Sequence, residues 1–171
     1  MFREISHFDI TGNVFDSIFN GKMLVTVKNG DKINTMTASW GALGYLWKKP
    51  TATMYLRPQR YTTELLKDCE YYTLSFLSDK YADQIQYMGT HSGRSEDKYA
   101  ATGLTPVTEG DYAYIGEAYQ VIFCRKVYDA VVDIDCAAEH MKKMLAEQMY
   151  PGKVSQSKGT TEQRKSGAFL K

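Results

Sequence analysis

Along most of the chain, apolar and β-branched residues alternate with polar ones at the period of two expected of half-buried strands. Lys22-Met23-Leu24-Val25-Thr26-Val27-Lys28 is the clearest case, and Asn29-Gly30, which follows at once, is the strongest short-range hairpin signal a sequence carries. A returning strand is expected from about Lys32 to Ser39. Thr51 to Arg57 and Tyr71 to Leu77 read as further strands, the second alternating apolar and hydroxyl positions. From Gly116 to Tyr128, Tyr119, Val121, Phe123, Arg125 and Val127 fall on one side, and Ala118, Gln120, Ile122, Cys124 and Lys126 on the other. That pattern suits a strand covered on both faces, and Tyr128 to Ile134 continues it.

Helical spacing is rarer. Thr62 is placed to cap a helix running to about Cys69 with Glu64 in its first turn, and Ser78 to cap a second whose stripe Tyr81, Ile85, Met88 ends at Gly89. A third is expected from about Ala137 to Tyr150, stopped by Pro151-Gly152. Strands joined by tight turns, with short helices between some of them, predict a mainly β fold, an antiparallel barrel with a few short helices. No G-x-G-x-x-G opens a βα unit, which argues against a Rossmann site.

The 171 residues suffice for one core without disulfides or metal, and no linker-like stretch divides residues 1–150. A net charge of +1 does not supply the broad basic surface of a nucleic-acid binder, and no apolar run reaches the ~20 residues of a membrane span. With no signal-peptide core at Met1 to Ile5, a cytoplasmic protein is expected. Cys69, Cys124 and Cys136 are read as reduced, buried thiols; with His7, His91 and His140 dispersed, no metal site is expected.

Three stretches carry candidate chemistry. Arg57-Pro58-Gln59-Arg60-Tyr61-Thr62 packs two guanidiniums, a phenol and a hydroxyl between a strand and a helix, a composition that suits a phosphate; the other reading is a surface turn with Arg60 paired to a carboxylate. Asn34-Thr35-Met36-Thr37-Ala38-Ser39-Trp40-Gly41 offers small residues whose backbone a ligand edge can reach, with Met and Trp faces for a planar ring. His91-Ser92-Gly93-Arg94-Ser95-Glu96-Asp97-Lys98 reads as a second cluster of anion donors, Ser92, Arg94 and Lys98, with Asp97 steering a cation, or else as a solvated loop. No nucleophile elbow or acid/base team is visible, so no catalytic side chain is assigned, and a redox cofactor that performs the reaction itself fits the donor set.

In order and spacing, these stretches together with Ala101-Thr102-Gly103-Leu104-Thr105-Pro106 and Glu117-Ala118 resemble the flavin reductase-like family that includes flavoredoxin. The resemblance spans roughly Phe15 to Tyr150 and implies an FMN-binding split β-barrel, a homodimer with FMN near the subunit interface, and redox function. It implies that Asn34, Thr35, Met36, Thr37, Ala38, Ser39 and Trp40 line the isoalloxazine edge. Arg57, Arg60, Tyr61 and Thr62 would hold the ribityl chain and phosphate, and Ser92, Arg94 and Lys98 would close from the other side. Hydride would come from NAD(P)H and pass to an unidentified acceptor; the alternatives are a flavoredoxin-like electron carrier serving protein partners and a barrel that has lost its flavin. Relatives continue past the position of Tyr150-Pro151 into a strand with a His and an aromatic. Here residues 153–171 are polar and patternless, so a domain over residues 1–152 with a flexible tail is expected, its flavin site partly open.

Overall fold

The computed structural model describes residues 3–145, 147 and 163–170. α1 (Val14–Phe19) precedes the hairpin β1 (Met23–Asn29) and β2 (Lys32–Ala38), and β3 (Gly41–Leu46) and β4 (Lys49–Leu56) form a second hairpin. α2 (Tyr61–Lys67) leads into β5 (Tyr71–Phe76), followed by α3 (Ala82–Thr90) and α4 (Lys98–Thr102). The small hairpin β6 (Pro106–Glu109) and β7 (Tyr112–Ile115) precedes β8 (Gln120–Val132), α5 (Glu139–Met144) and β9 (Gln163–Leu170). One antiparallel sheet of seven strands runs β2-β1-β5-β8-β9-β4-β3, and β6-β7 is separate. The fold is mainly β with a few helices, as the sequence pattern implies, but the large sheet is open: β2 and β3 are its edges, and among the described residues no ladder closes a barrel between them.

Alternation in β1 and β5 divides the interior in two. Met23, Val25 and Val27 of β1 and Tyr72, Leu74 and Phe76 of β5 pack with Met54 and Leu56 of β4 and with Leu65 and Leu66 of α2. Leu24 and Leu77 face the other way, onto Ile85 and Met88 of α3, Leu104 and Ile115. Fully burying a side chain of this size stabilises by roughly 1.5–3 kcal/mol. The hydroxyl positions on that second face are buried because each finds a partner. Thr73 Oγ1 donates to the Ala113 carbonyl at 2.6 Å, Ser75 Oγ accepts from Ile115 N–H at 3.2 Å, and Thr26 and Thr35 share a hydrogen bond of 2.8 Å.

The first hairpin forms where the Asn29-Gly30 signal places it, its two turn residues being Gly30 and Asp31, with Gly30 at φ +58° and Asn29 still paired to Lys32, the pattern of a type II′ turn. Several other expectations are corrected by this geometry. Thr62 does not cap α2: Arg60 holds the cap position without a side-chain bond, and Thr62 is buried, accepting from Asn34 Nδ2 at 2.7 Å. Ser78 precedes only the short 3-10 turn Asp79–Tyr81, and α3 runs through Gly89 to Thr90. Asp97 steers no cation; it caps α4, accepting from Tyr99 and Ala100 N–H at 3.0 and 3.1 Å. α5 starts at Glu139 and ends at Met144, and most of the helix expected beyond it lies outside the described residues. Cys69 and Cys124 are buried, whereas Cys136 is exposed and donates to Asp133 at 3.2 Å.

The largest difference is at β9. Of the segment read as a patternless tail, Gln163–Leu170 forms a strand seated between β4 and β8, with Thr53 and Tyr128 both opposite Gly167. The boundary expected at residues 152–153 lies outside the described residues. Backbone ladders on both sides can hold a strand whose side chains show no apolar alternation. Among the described residues no helix is long and apolar enough to cross a membrane.

Candidate functional site

Arg57, Pro58, Gln59 and Arg60 make a turn closed by Arg60 N–H to the Arg57 carbonyl at 3.2 Å, and Thr63 Oγ1 donates to the same carbonyl at 3.0 Å. Pro58 sits second in this turn, where its fixed φ is favourable. The turn follows directly from β4 and brings two guanidiniums to one side. Opposite it, β2 runs out through Ser39 into Trp40, whose carbonyl accepts from Tyr55 N–H at 3.1 Å. A cleft of about 250 Å³ opens between these walls, lined by Met36, Thr37, Ala38, Ser39, Trp40, Tyr55, Leu56, Arg57, Arg60 and Gly89.

The electrostatics of the cleft are positive. Arg57 lies over the Trp40 ring, 5.2 Å from its centroid. Arg60 is half-buried and donates Nη2 to the Gly89 carbonyl at the end of α3. Burial, and then the nearby charge of Arg57, pull the Arg60 guanidinium below its ordinary pKa. Among the described residues no carboxylate pairs with Arg60, so the surface ion pair weighed for it does not form. That pairing belongs to Arg94, which binds Glu64 and holds its carboxyl below the usual range.

α3 comes close enough to line the cleft because residue 89 is glycine: a Cβ there would stand 3.2 Å from Thr37 Cβ. Thr37 Oγ1 in turn donates to the Ile85 carbonyl. β2 is an edge strand, and the Thr35 carbonyl points outward to accept from Lys98 Nζ at 2.5 Å. By the period of two, Thr37 turns its own N–H and C=O to that same outer edge, where a planar ligand edge can meet them.

Of the residues singled out from the sequence, Met36 to Trp40, Arg57 and Arg60 therefore meet at one cleft. Asn34 and Thr35 are buried behind it, Asn34 bonded to Thr62 and Thr35 to Thr26 and Tyr99. Tyr61 is half-buried with Arg94 over its ring, 5.0 Å from the centroid. Ser92 Oγ accepts from Arg94 N–H at 3.3 Å, and Arg94 Nη1 donates to the Gln59 carbonyl at 3.2 Å, so these two face each other and α2 rather than the cleft. Lys98 is 3% exposed, its ammonium on the Thr35 carbonyl and, at 3.2 Å, on that of Met88. Tyr55, Leu56 and Gly89 are cleft residues that sequence reasoning missed; Gly89 was legible only as a helix stop.

The family model described as flavin reductase like domain matches residues 15–141. The chain belongs to this flavin reductase family. Among solved structures, flavoredoxin of Desulfovibrio vulgaris (Miyazaki F) is similar with a TM-score of 0.63 at 23% identity, over 86% of this chain and 65% of that one. An FMN-binding protein of Thermus thermophilus gives 0.64 at 15% identity, over 99% and 78%. The NADH:FAD oxidoreductase of Streptomyces globisporus C-1027 gives 0.59 at 12%, over 86% and 70%. At these identities the likeness is one of fold, and the chain spans just under two thirds of the length of the flavoredoxins it matches. No curated protein matches it.

A flavin mononucleotide can be tested against these residues. Its phosphate suits the Arg57–Arg60 turn, and its ring edge suits the small residues and outward backbone of β2. The cleft is somewhat smaller than the ~300–1,000 Å³ of enclosing ligand pockets, so it would grip the flavin by its phosphate and one edge rather than enclose it.

Proposed function

We propose that the chain is an FMN-binding oxidoreductase in which NAD(P)H supplies hydride and an acceptor takes up the electrons. The observation that carries this reading is the Arg57–Arg60 turn: two guanidiniums at the rim of a cleft whose far wall is the small-residue edge of β2, with Arg60 engaged by no carboxylate among the described residues. A phosphate of about −2 charge would relieve the repulsion between them, and Arg presents paired donors to its oxygens. Bound there, FMN would supply hydride acceptance and onward electron delivery, and the protein would supply binding and orientation.

On this reading Arg57 and Arg60 hold the phosphate, Met36 to Trp40 run along the ring edge, and Tyr55 and Leu56 form the facing wall. Asn34 and Thr62 fasten β2 to α2 behind the site. Ser92 and Arg94 join the phosphate only when Arg94 leaves Glu64. No side chain acts as acid or base. The open sheet is taken as the split-barrel framework of this family, and the open side of the cleft is assigned to a second copy in a homodimer. Phe15 and Phe19, 86% and 79% exposed on α1, and Tyr45 and Trp47 at the β3–β4 hairpin supply apolar surface for such a contact.

The test is an anaerobic titration of FMN-loaded protein with NADH and NADPH, followed by flavin absorbance. Bleaching by either nucleotide supports the reductase; no bleaching by either refutes it. Reduction by a ferredoxin-like protein alone would make the chain an electron carrier. Sedimentation reads the dimer.

A further inference from the structure

We propose that Lys98 is a positioning residue whose protonation sets the strength of anion binding at the Arg57–Arg60 turn, so that a phosphate ligand is held near neutral pH and released in alkali. The inference rests on the phosphate reading of that turn and goes beyond it, because Lys98 acts through α3 rather than by touching the ligand.

Two successive carbonyls at the end of α3 carry the two cations: Met88 accepts from Lys98 Nζ at 3.2 Å, and Gly89 accepts from Arg60 Nη2. The same ammonium reaches across to the Thr35 carbonyl on β2 at 2.5 Å. Lys98 thus clamps the end of α3 to the strand that forms the cleft wall, one residue away from the carbonyl that orients Arg60. Carbonyls at a helix C-terminus favour positive charge, which helps to keep a lysine charged in the interior.

No carboxylate is bonded to this ammonium among the described residues. The charges that act on it are Arg60 from the turn before α2 and Glu96 from the loop before α4, while Asp97 is spent capping α4 and Tyr99 OH is bonded to Thr35 Oγ1. Glu96 is engaged by Tyr87 OH at 2.6 Å, and Tyr99 is pushed up to about 12, so it is neutral in the relevant range. Burial, then the charge of Arg60, bring Lys98 down to about 8. An anion on Arg57 and Arg60 offsets that repulsion and favours the protonated ammonium. By reciprocity, the protonated ammonium favours the anion. Above the lysine's own pKa the neutral amine adds no positive potential and grips the two carbonyls less strongly, and the anion loses affinity.

The measurement is the FMN dissociation constant by fluorescence titration between pH 7 and 9, with riboflavin, which lacks the phosphate, as control. For the full chain we expect FMN to bind more weakly at pH 9 than at pH 7, by up to about tenfold, the ceiling one linked proton allows, with riboflavin unchanged. Lys98→Met should bind FMN more weakly at pH 7 and show no pH dependence; Lys98→Arg, which keeps its charge, should restore affinity and stay flat. A flat profile in the native chain, or an undiminished fall in Lys98→Met, overturns the proposal while leaving the flavin reading intact. Failure of FMN to bind at pH 7 removes the flavin reading. The linkage is then read by NMR of the lysine side chain with and without sulfate, whose charge is constant in this range. The Lys98 pKa should rise on adding sulfate, and an unmoved pKa overturns the proposal even if Lys98→Met fails to fold.

Discussion

Arg60→Met separates binding from stability. The substitution keeps most of the aliphatic stem and removes a guanidinium that burial and Arg57 both disfavour in the free protein. What the free protein loses is one hydrogen bond to the Gly89 carbonyl, worth about 1 kcal/mol. Relief of the desolvation and of the Arg57 repulsion offsets part of that loss, so its thermal midpoint should fall only slightly. The complex loses one or two charge-assisted bonds to phosphate, at about 1.5–3 kcal/mol for such a contact, which weakens FMN roughly 10–150-fold. Fluorescence titration with FMN and riboflavin, beside a thermal melt, reads all three quantities. An FMN affinity within twofold of the native value, or an equal loss for riboflavin, would refute the assignment of the phosphate to this turn.

Three further outcomes follow from the geometry. Trp47 and Lys48 form the two-residue β3–β4 loop with φ of 50° and 60°; Trp47→Asn with Lys48→Gly should stabilise by about 1–2 kcal/mol, and a lower urea midpoint would contradict this. Gly93→Ala would drive a Cβ into the buried Asn34 amide and break its bond to Thr62; a loss of about 1–3 kcal/mol is expected, and an unchanged denaturation midpoint counts against it. Because the Lys98 pKa falls from 10.5 unfolded to about 8 folded, the unfolded chain binds more protons between those values. Stability of the ligand-free protein should therefore rise as pH climbs through that window, by at most about 3 kcal/mol, and Lys98→Met should lack the rise in a pH series of urea melts.

The strands that were legible in the sequence are those whose side chains alternate against a core: β1, β2, β4, β5 and much of β8. β3 was not, because Gly41–Leu46 is an edge strand with mostly exposed positions, and its hairpin turns on Trp47-Lys48, which lack the Gly or Asn that marks such turns. β6 and β7 are four residues each, too short for a period to show. That Arg57, Arg60 and the Met36 to Trp40 edge line one candidate cleft was suggested by residue type, since their chemistry survives any exact placement. Residue type could not show that Arg94 is spent on Glu64 or that Lys98 is buried beneath β2. Those outcomes depend on how α3 and α4 dock, and that rests on contacts such as Gly89 against Thr37.

The place of β9 imposes an order on folding. β4, which ends in the cleft wall, has β3 on one side but on the other only a strand synthesised more than a hundred residues later. Until residues 163–170 emerge, the β3–β4 hairpin is a two-stranded ribbon of marginal stability, with the outer backbone edge of β4 open to wrong partners. The ribbon carrying Arg57 and the ladder carrying β2 are therefore joined last during biosynthesis. The cleft between them can take its final shape only once residues 163–170 have been made.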